Sequence, residues 1–324
     1  MNVLVTGGGG FLGTYVIKEL LKRNYTVTNL SRHNYTHLEE LGVSTLNVDL
    51  SAAENVDALD LSPFEAIFHI AALAGVWGKY DNYYSINYTG TVNLFNKAKK
   101  DGVQYIVYTS TPSVVFGKDD IIKGDEKLDY PENYLTAYAQ TKSMAEKFIL
   151  EQKDIKSIAL RPHLIWGPGD PHILPRLKEK ARLGKLKRVG DGENLVDIIY
   201  VENAAIAHVD ALKALVDNPS LSGNPYFIGQ ENPVNLWEFI NTLLVKSKLE
   251  PVEDSVSFSL AYKVGYLLEK AFSLLGIIKP EPPMTRFVAT QLAKSHYFSH
   301  DKATKDFGYH PHVSIEEGLN RTFE

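Results

Sequence analysis

The chain has 324 residues, 44% hydrophobic and 23% charged, the proportions of a globular protein of about two domains. Asp and Glu number 39 against 34 Lys and Arg, a net charge of −5 that excludes the basic field of a general nucleic-acid binder. Cysteine is absent, which removes disulfides, iron–sulfur clusters, cysteine-based zinc sites and thiol nucleophiles. Val3–Val5 predicts a first strand that runs into Gly7-Gly8-Gly9-Gly10-Phe11-Leu12-Gly13, and Tyr15 to Lys22 predicts a helix with Val16, Leu20 and Leu21 on one side. Further short apolar runs at 26–30, 44–48, 66–70, 105–109 and 157–160 predict strands, with helices over 81–100 and 135–152 between them. Strands alternating with helices imply an α/β fold, a parallel sheet doubly wound with helices on both faces.

After about residue 165 the alternation fails and Pro168, Pro171 and Pro175 follow closely. Residues 225–228 and 236–246 read as isolated elements of a smaller C-terminal lobe. The expected division is a nucleotide-binding domain over 1–165, with 190–210 returning to it, and a mainly substrate-binding lobe over 166–324. No targeting segment is expected ahead of the first strand. The longest apolar stretch, 260–278, is interrupted by Lys263, Glu269 and Lys270, so no transmembrane span is predicted. A core-facing helix pair and an amphipathic helix over a pocket or a membrane surface both remain open for it.

A glycine-rich turn between a first strand and a first helix lets backbone approach a pyrophosphate, and the helix N-terminus offers free N–H groups to it. Gly8, Gly10 and Gly13 fit G-x-G-x-x-G, while Gly7, Gly10 and Gly13 fit G-x-x-G-x-x-G. The position directly after a strand and before a helix makes this a Rossmann-type dinucleotide turn. An NAD site usually carries an acid about 20 residues further on, to bind the ribose 2′-hydroxyl. Residues 20–38 contain no acid, and the second strand ends at Ser31-Arg32. A hydroxyl and a guanidinium suit a 2′-phosphate, so NADP(H) is the expected cofactor, with NAD(H) as the alternative.

Tyr138 and Lys142 stand at i and i+4 of one predicted helix and share a face. A nearby ammonium is expected to lower the phenol pKa and make Tyr138 an acid/base catalyst. Thr109-Ser110-Thr111 closes a predicted strand, where parallel sheets gather their ligands, and supplies hydroxyls for a substrate oxygen.

Together these motifs resemble the extended short-chain dehydrogenase/reductase family, and within it the 3β-hydroxysteroid dehydrogenase branch. The resemblance runs over most of the chain: Thr6 to Gly13, Asp49-Leu50, Ala71-Ala72, Asn87-Tyr88-Thr89-Gly90-Thr91, Tyr138 with Lys142, Arg161-Pro162, Trp166 to Gly169, 197–204 and 281–287. It implies cofactor contacts from Gly7, Gly10, Phe11, Leu12, Gly13, Ser31, Arg32, Asp49, Leu50, Ala71, Ala72 and Pro162, besides Tyr138 and Lys142. It implies Tyr138 as acid/base, Lys142 as its partner, Thr111 on the substrate oxygen where the family often has Ser, and Asn87 as a fourth catalytic residue, ordering the helix and a water path behind Lys142. Ser110 and Ser113 are the alternatives to Thr111, and Trp77, Ser113, Trp166, Met284 and Arg286 are the implied substrate contacts. The implied reaction interconverts a ketone and a secondary alcohol at C3 of a lipid-like substrate, in a cytoplasmic homodimer. Two other readings are a nucleotide-sugar epimerase or dehydratase, and a non-catalytic dinucleotide sensor. Ser31-Arg32 and the pair Tyr138 and Lys142 weigh against them in turn.

Three features are expected to be structural. The basic run 176–188 reads as a solvated helix face, with attraction of an acidic acyl substrate or a phosphate handle as the alternative. His296 and His300 have helical metal-ligand spacing without a third ligand beyond Asp301, so no metal site is expected. Tyr80, Tyr83, Tyr84 and Tyr88 fall on one face as packing, on a helix that in the family often pairs subunits.

Overall fold

In a computed structural model that describes all residues 1–324, seven parallel strands form the central sheet. They are β1 (Asn2–Thr6), β2 (Thr26–Ser31), β3 (Ser44–Asn47), β4 (Ala66–His69), β5 (Tyr105–Thr109), β6 (Lys156–Pro162) and β7 (Asn224–Ile228). Their spatial order is β7-β6-β5-β4-β1-β2-β3. The chain therefore winds outward from β1 to β3, crosses back to β4, and continues in the opposite direction. That reversal between β1 and β4 opens a crevice at the carboxyl ends of the strands.

Helices of eight or more residues are α1 (Phe11–Lys22), α2 (Gly90–Asp101), α3 (Ala137–Glu151), α4 (Ile173–Arg182), α5 (Val201–Asp217), α6 (Leu236–Lys246), α7 (Phe258–Leu274), α8 (Arg286–Ala293) and α9 (Ile315–Phe323). On one face of the sheet α1 and α5 bury Val16, Ile17, Leu20, Val209 and Leu212 against Val3, Val5 and Phe68. On the other, α2 and α3 bury Leu94, Phe95, Ala145 and Ile149 against Leu4, Ile67 and Ile106. Strands buried on both faces explain why β1, β4 and β5 read as continuous apolar runs. A third core, around Trp166, Tyr200, Trp237 and Leu243, belongs to the second lobe.

Two boundaries differ from the sequence expectation. Residues 224–228, expected among the isolated elements of the lobe, are β7, the sheet's outermost strand, in register with β6 (Tyr226 opposite Leu160). With α5 covering the sheet, the return to the first domain extends well past residue 210. In the other direction, Ile121–Gly124 leaves the first half to join a small second sheet with His296–Phe298, Leu195–Val196 and Val234–Asn235. Pairing partners that distant carry no local signature. The helix expected over 81–100 is also interrupted, with Tyr84–Thr89 forming π-helical turns before α2 begins.

Candidate active site

The ends of β1, β2, β4, β5 and β6 open on one cleft of about 630 Å³. Gly7 leaves β1 at φ 71°, and a Cβ there would lie 2.8 Å from the Ala71 Cα. A Cβ on Gly13 would lie 2.7 Å from the Gly8 Cα, so both turn and helix need glycine to close up. Of the two glycine spacings, 7-10-13 lines the cleft, whereas Gly8 donates its amide to Asn29 Oδ1 at 2.9 Å. Helix α1 starts with no side-chain cap and no acid in its first turn. Its opening amides and positive end are thus left for an anion, and a dinucleotide pyrophosphate fits. Helix α4 makes the opposite choice, since Asp170 accepts from the amides of His172, Ile173 and Leu174.

Beyond α1 the cleft is lined by Leu12, Ser31, Arg32, Asp49 and Leu50, and across from it by Ala71, Ala72 and Pro162. Arg32 is exposed, and Ser31 Oγ donates to the His33 carbonyl at 2.7 Å. The Asp49 carboxyl is held below its ordinary range, chiefly by the Ser51 hydroxyl, with Arg32 adding to the effect.

Thr136 caps α3, accepting from the Ala139 amide at 3.1 Å, and so sets the rotation that turns Tyr138 and Lys142 to the cleft. Lys142 is buried, donates to the Thr109 carbonyl at 2.7 Å and lies 4.0 Å from the Tyr108 ring centroid. Burial lowers its pKa to about 7, with Glu146 one turn further on opposing the shift. Glu146 is itself clamped by Arg161 at 2.6 and 2.9 Å, a fully buried pair. Burial raises the Tyr138 phenol to about 12, and the adjacent Thr111 hydroxyl pulls the other way. The expected lowering of Tyr138 by Lys142 is therefore corrected. Lys142 gives one of its three N–H donors to the end of β5, and desolvation governs the phenol. A phenol that keeps its proton at neutral pH is placed to donate it.

Thr111, Ser110 and Ser113 all line the cleft at the end of β5. Thr111 Oγ1 accepts from the Ser113 amide and donates to Ser113 Oγ, both at 3.2 Å, which orients the two hydroxyls together. Asn87 lies outside the cleft lining. It brackets Leu73 through the amide (2.7 Å) and carbonyl (3.1 Å) and donates to Thr141 Oγ1 at 3.2 Å. It makes no direct bond to Lys142 and pins the loop after β4 to α3. Behind it a buried chain runs from Thr6 through His69 to Thr91 (2.8 Å each), and burial lowers His69 to about 3.

Four expected substrate contacts point elsewhere. Trp166 is 2% exposed, edge-on to Tyr200 and Phe239 inside the lobe core. Trp77 donates to the Ile277 carbonyl at 3.0 Å, and its neighbours Gly75 and Val76 line the cleft instead. Met284 packs against the lobe core, and Arg286 is bound to Glu269 at 2.7 Å while the next residue, Phe287, faces the cleft. His163, His172, Ile173, Arg176, Phe287 and Gln291 line the substrate end and were missed by sequence reasoning. Only the basic run gave a signal for Arg176, read first as a solvated face and second as an attractor of an acidic substrate. His296 lies in a strand, accepting from His163 at 2.8 Å and donating to the Gln291 carbonyl at 3.0 Å, while His300 meets Asp197 at 3.2 Å. Their spacing is therefore not helical. A second cavity of about 620 Å³, behind residues 167–170, contains neither Tyr138 nor Lys142.

Known proteins resemble this chain over nearly its whole length. The profile of the 3-beta hydroxysteroid dehydrogenase/isomerase family matches residues 4–260. The 2-alkyl-3-oxoalkanoate reductase of Stenotrophomonas maltophilia is 42% identical over 99% of this chain and 98% of its own. The mouse sterol-4-alpha-carboxylate 3-dehydrogenase, decarboxylating, is 32% identical over 99% of this chain and 89% of its own. Among solved structures, gox2253 superposes with a TM-score of 0.78 at 25% identity, covering 99% of this chain and 96% of its own. The UDP-glucose 4-epimerase of Thermus thermophilus, in complex with NAD, superposes at 0.74 and 23% identity, over 100% and 97%, a likeness of fold alone. On the family profile and on relatives aligned from end to end, this chain belongs to the 3-beta hydroxysteroid dehydrogenase/isomerase family of oxidoreductases.

Proposed function

We propose that the protein is an NADPH-dependent reductase of a lipid-like 3-oxo acid, with Tyr138 as proton donor. The observation that carries this is one continuous cleft joining the uncapped start of α1 to a protonated Tyr138 beside the Thr111 hydroxyl. A bound dihydronicotinamide supplies the hydride for the ketone carbon. Thr111 and Ser113 hold the ketone oxygen, and Tyr138 protonates that oxygen as it becomes an alcohol. Lys142, with a pKa of about 7, is buried behind Tyr138 and restores its proton. Asn87 keeps the wall around them in place.

At the far end Arg176 faces the cleft, its only ion-pair partner being Glu281 at 3.3 Å, and it suits a substrate carboxylate. Phe287 and Val76 offer apolar surface for an alkyl chain. The names of the two relatives, an oxoalkanoate reductase and a sterol carboxylate dehydrogenase, support an acidic, lipid-like substrate. Preference for NADPH rests on exposed Arg32 and on the acid-free segment at the end of β2. Self-association as a homodimer is supported by the row of Tyr80, Tyr84 and Tyr88, the first pair stacked at 5.8 Å and the second tilted at 5.1 Å, with Tyr80 and Tyr84 exposed. We place the reaction in the cytoplasm, where reduced nicotinamide is available as a co-substrate.

Turnover across 3-oxo acids, ketosteroids and nucleotide sugars, with NADPH and NADH, tests the proposal. Net oxidation of NADPH with the 3-oxo acids is expected. Turnover of nucleotide sugars alone, with no net cofactor oxidation, would overturn it.

A further inference from the structure

Arg176 meets the cleft with its charge only loosely held. Its one acidic partner is Glu281, reached through a single Nη2–Oε1 contact of 3.3 Å, and its side chain is half-exposed. The other arginine–carboxylate pairs of the molecule are shorter and made through two bonds. Glu146 takes Arg161 at 2.6 and 2.9 Å, and Glu269 takes the amide and guanidinium of Arg286 at 2.6 and 2.7 Å. Arg321 reaches Glu202 and Glu317 at 2.8 Å each. A long, one-point pair open to water is weak and exchanges readily.

The Glu281 carboxylate stands at the rim of the cleft. The oxygen that meets Arg176 would lie 3.8 Å from a Cβ on Gly75, a cleft-lining residue. That Cβ would also lie 2.7 Å from the Tyr83 hydroxyl, so glycine at φ 145° lets the three approach. The segment carrying Glu281 is pinned on its other side, where the Ile277 carbonyl accepts from Trp77 at 3.0 Å. Only one further polar contact ties this segment to α4, Lys180 Nζ to the Pro283 carbonyl at 3.5 Å. The Tyr83 phenol is within electrostatic reach of Glu281 and Arg176, and also of Tyr138. One residue thus links the pair to the proton donor, as a substrate with its carboxylate two bonds from its ketone carbon requires.

We propose, on the reading of Arg176 as the site of a substrate carboxylate, that Glu281 stands in for that carboxylate and is displaced by it. A carboxylate that meets the guanidinium through both oxygens replaces a one-point contact, and Glu281, a third exposed, passes to water. The product alcohol keeps its carboxylate, so Glu281 competes with it as well and favours its release. A neutral ketone has nothing to exchange and leaves the pair closed. Glu281 is thereby a specificity-determining residue that sets how tightly acids are held.

Calorimetric titration of the full chain with octanoate, in the presence of NADP, tests the exchange apart from catalysis, because octanoate has a carboxylate and an alkyl chain but no ketone. Glu281→Gln is expected to tighten octanoate binding about three- to tenfold, and Arg176→Gln to weaken it roughly tenfold or more. In the double variant the gain from Glu281→Gln is expected to vanish, which a merely structural Glu281 would not show. Thermal melts should be unchanged in all three. In turnover, Glu281→Gln should lower the KM for a 3-oxo acid by the same factor without raising kcat, and should not alter the KM for a neutral ketone. No octanoate binding by Glu281→Gln, binding equal to that of wild type, or an equal gain with and without Arg176 would overturn the inference. Octanoate binding that follows both residues in a protein that leaves 3-oxo acids unreduced would support the exchange while overturning the proposed reaction.

Discussion

The two ends of the cleft are built in different ways. At the nucleotide end the lining is largely backbone and strand termini. Gly7, Gly10 and Gly13 shape a turn between adjacent elements, and the ends of β2, β4 and β5 lie side by side in one parallel sheet. At the substrate end the lining is side chains delivered from far apart, with Val76 after β4, His163 after β6, Arg176 on α4, and Phe287 and Gln291 on α8. The first end sits on cores that exclude water from both faces of the sheet. The second includes α4, which buries none of its residues fully. Chemistry common to a family can reside on the rigid end while substrate choice varies on the other, because changes in α4 or α8 leave the strand ends untouched.

Substitutions at the two ends should therefore separate in kind as well as size. Tyr138→Phe removes the proton donor without touching the glycine turn, so turnover should fall about 10³-fold while the dissociation constant of NADPH by fluorescence titration stays unchanged. Arg176→Gln acts at the other end. The KM for a 3-oxo acid should rise roughly 10- to 100-fold with kcat little changed, and a ketone lacking the carboxylate should be indifferent. Equal losses for both substrates would erase the proposed division of labour. Arg32→Ala should lower the preference for NADPH over NADH about tenfold in kcat/KM, with no change in the order of ketones accepted.

The smallest effect near neutral pH is on stability, and both ends share it, since burial also holds His163 and His296 below their ordinary range. Burial holds His69 at about 3 and His208, which accepts from Thr109 at 2.8 Å, at about 4. Both stay neutral in the fold, while in the unfolded chain they take up protons below about pH 6.5. Stability is thus complete above pH 6.5 and declines as the pH falls toward 4, by on the order of 3 kcal/mol for each histidine. Thermal melts from pH 7 to 4 should show this decline, and His208→Gln should flatten it.

The same contrast decides what was legible in the sequence. The strands, the turn, Tyr138 with Lys142, and the hydroxyls after β5 could be read because each depends on neighbours a few residues away. Arg286 and Phe287 show the limit. Which of two adjacent residues faces the cleft is decided by Glu269 on α7, seventeen residues earlier. Trp166 failed for a related reason, since Tyr200 and Phe239 enclose it from distant positions. The reach of β7 into the central sheet was hidden because its partner β6 lies more than sixty residues upstream. The rise in the Tyr138 pKa could not be read because spacing places Lys142 on the right face but does not reveal how deeply the phenol is buried.

The central claim is that the two ends cooperate in a net reduction. Its most direct measurement is the fate of label from NADPH carrying deuterium at the transferable position, incubated with a 2-alkyl-3-oxo acid. The account predicts stoichiometric NADP and deuterium at C3 of the product alcohol, with Tyr138→Phe abolishing both. Label retained on the cofactor while the substrate is converted, or turnover that survives Tyr138→Phe, would contradict it.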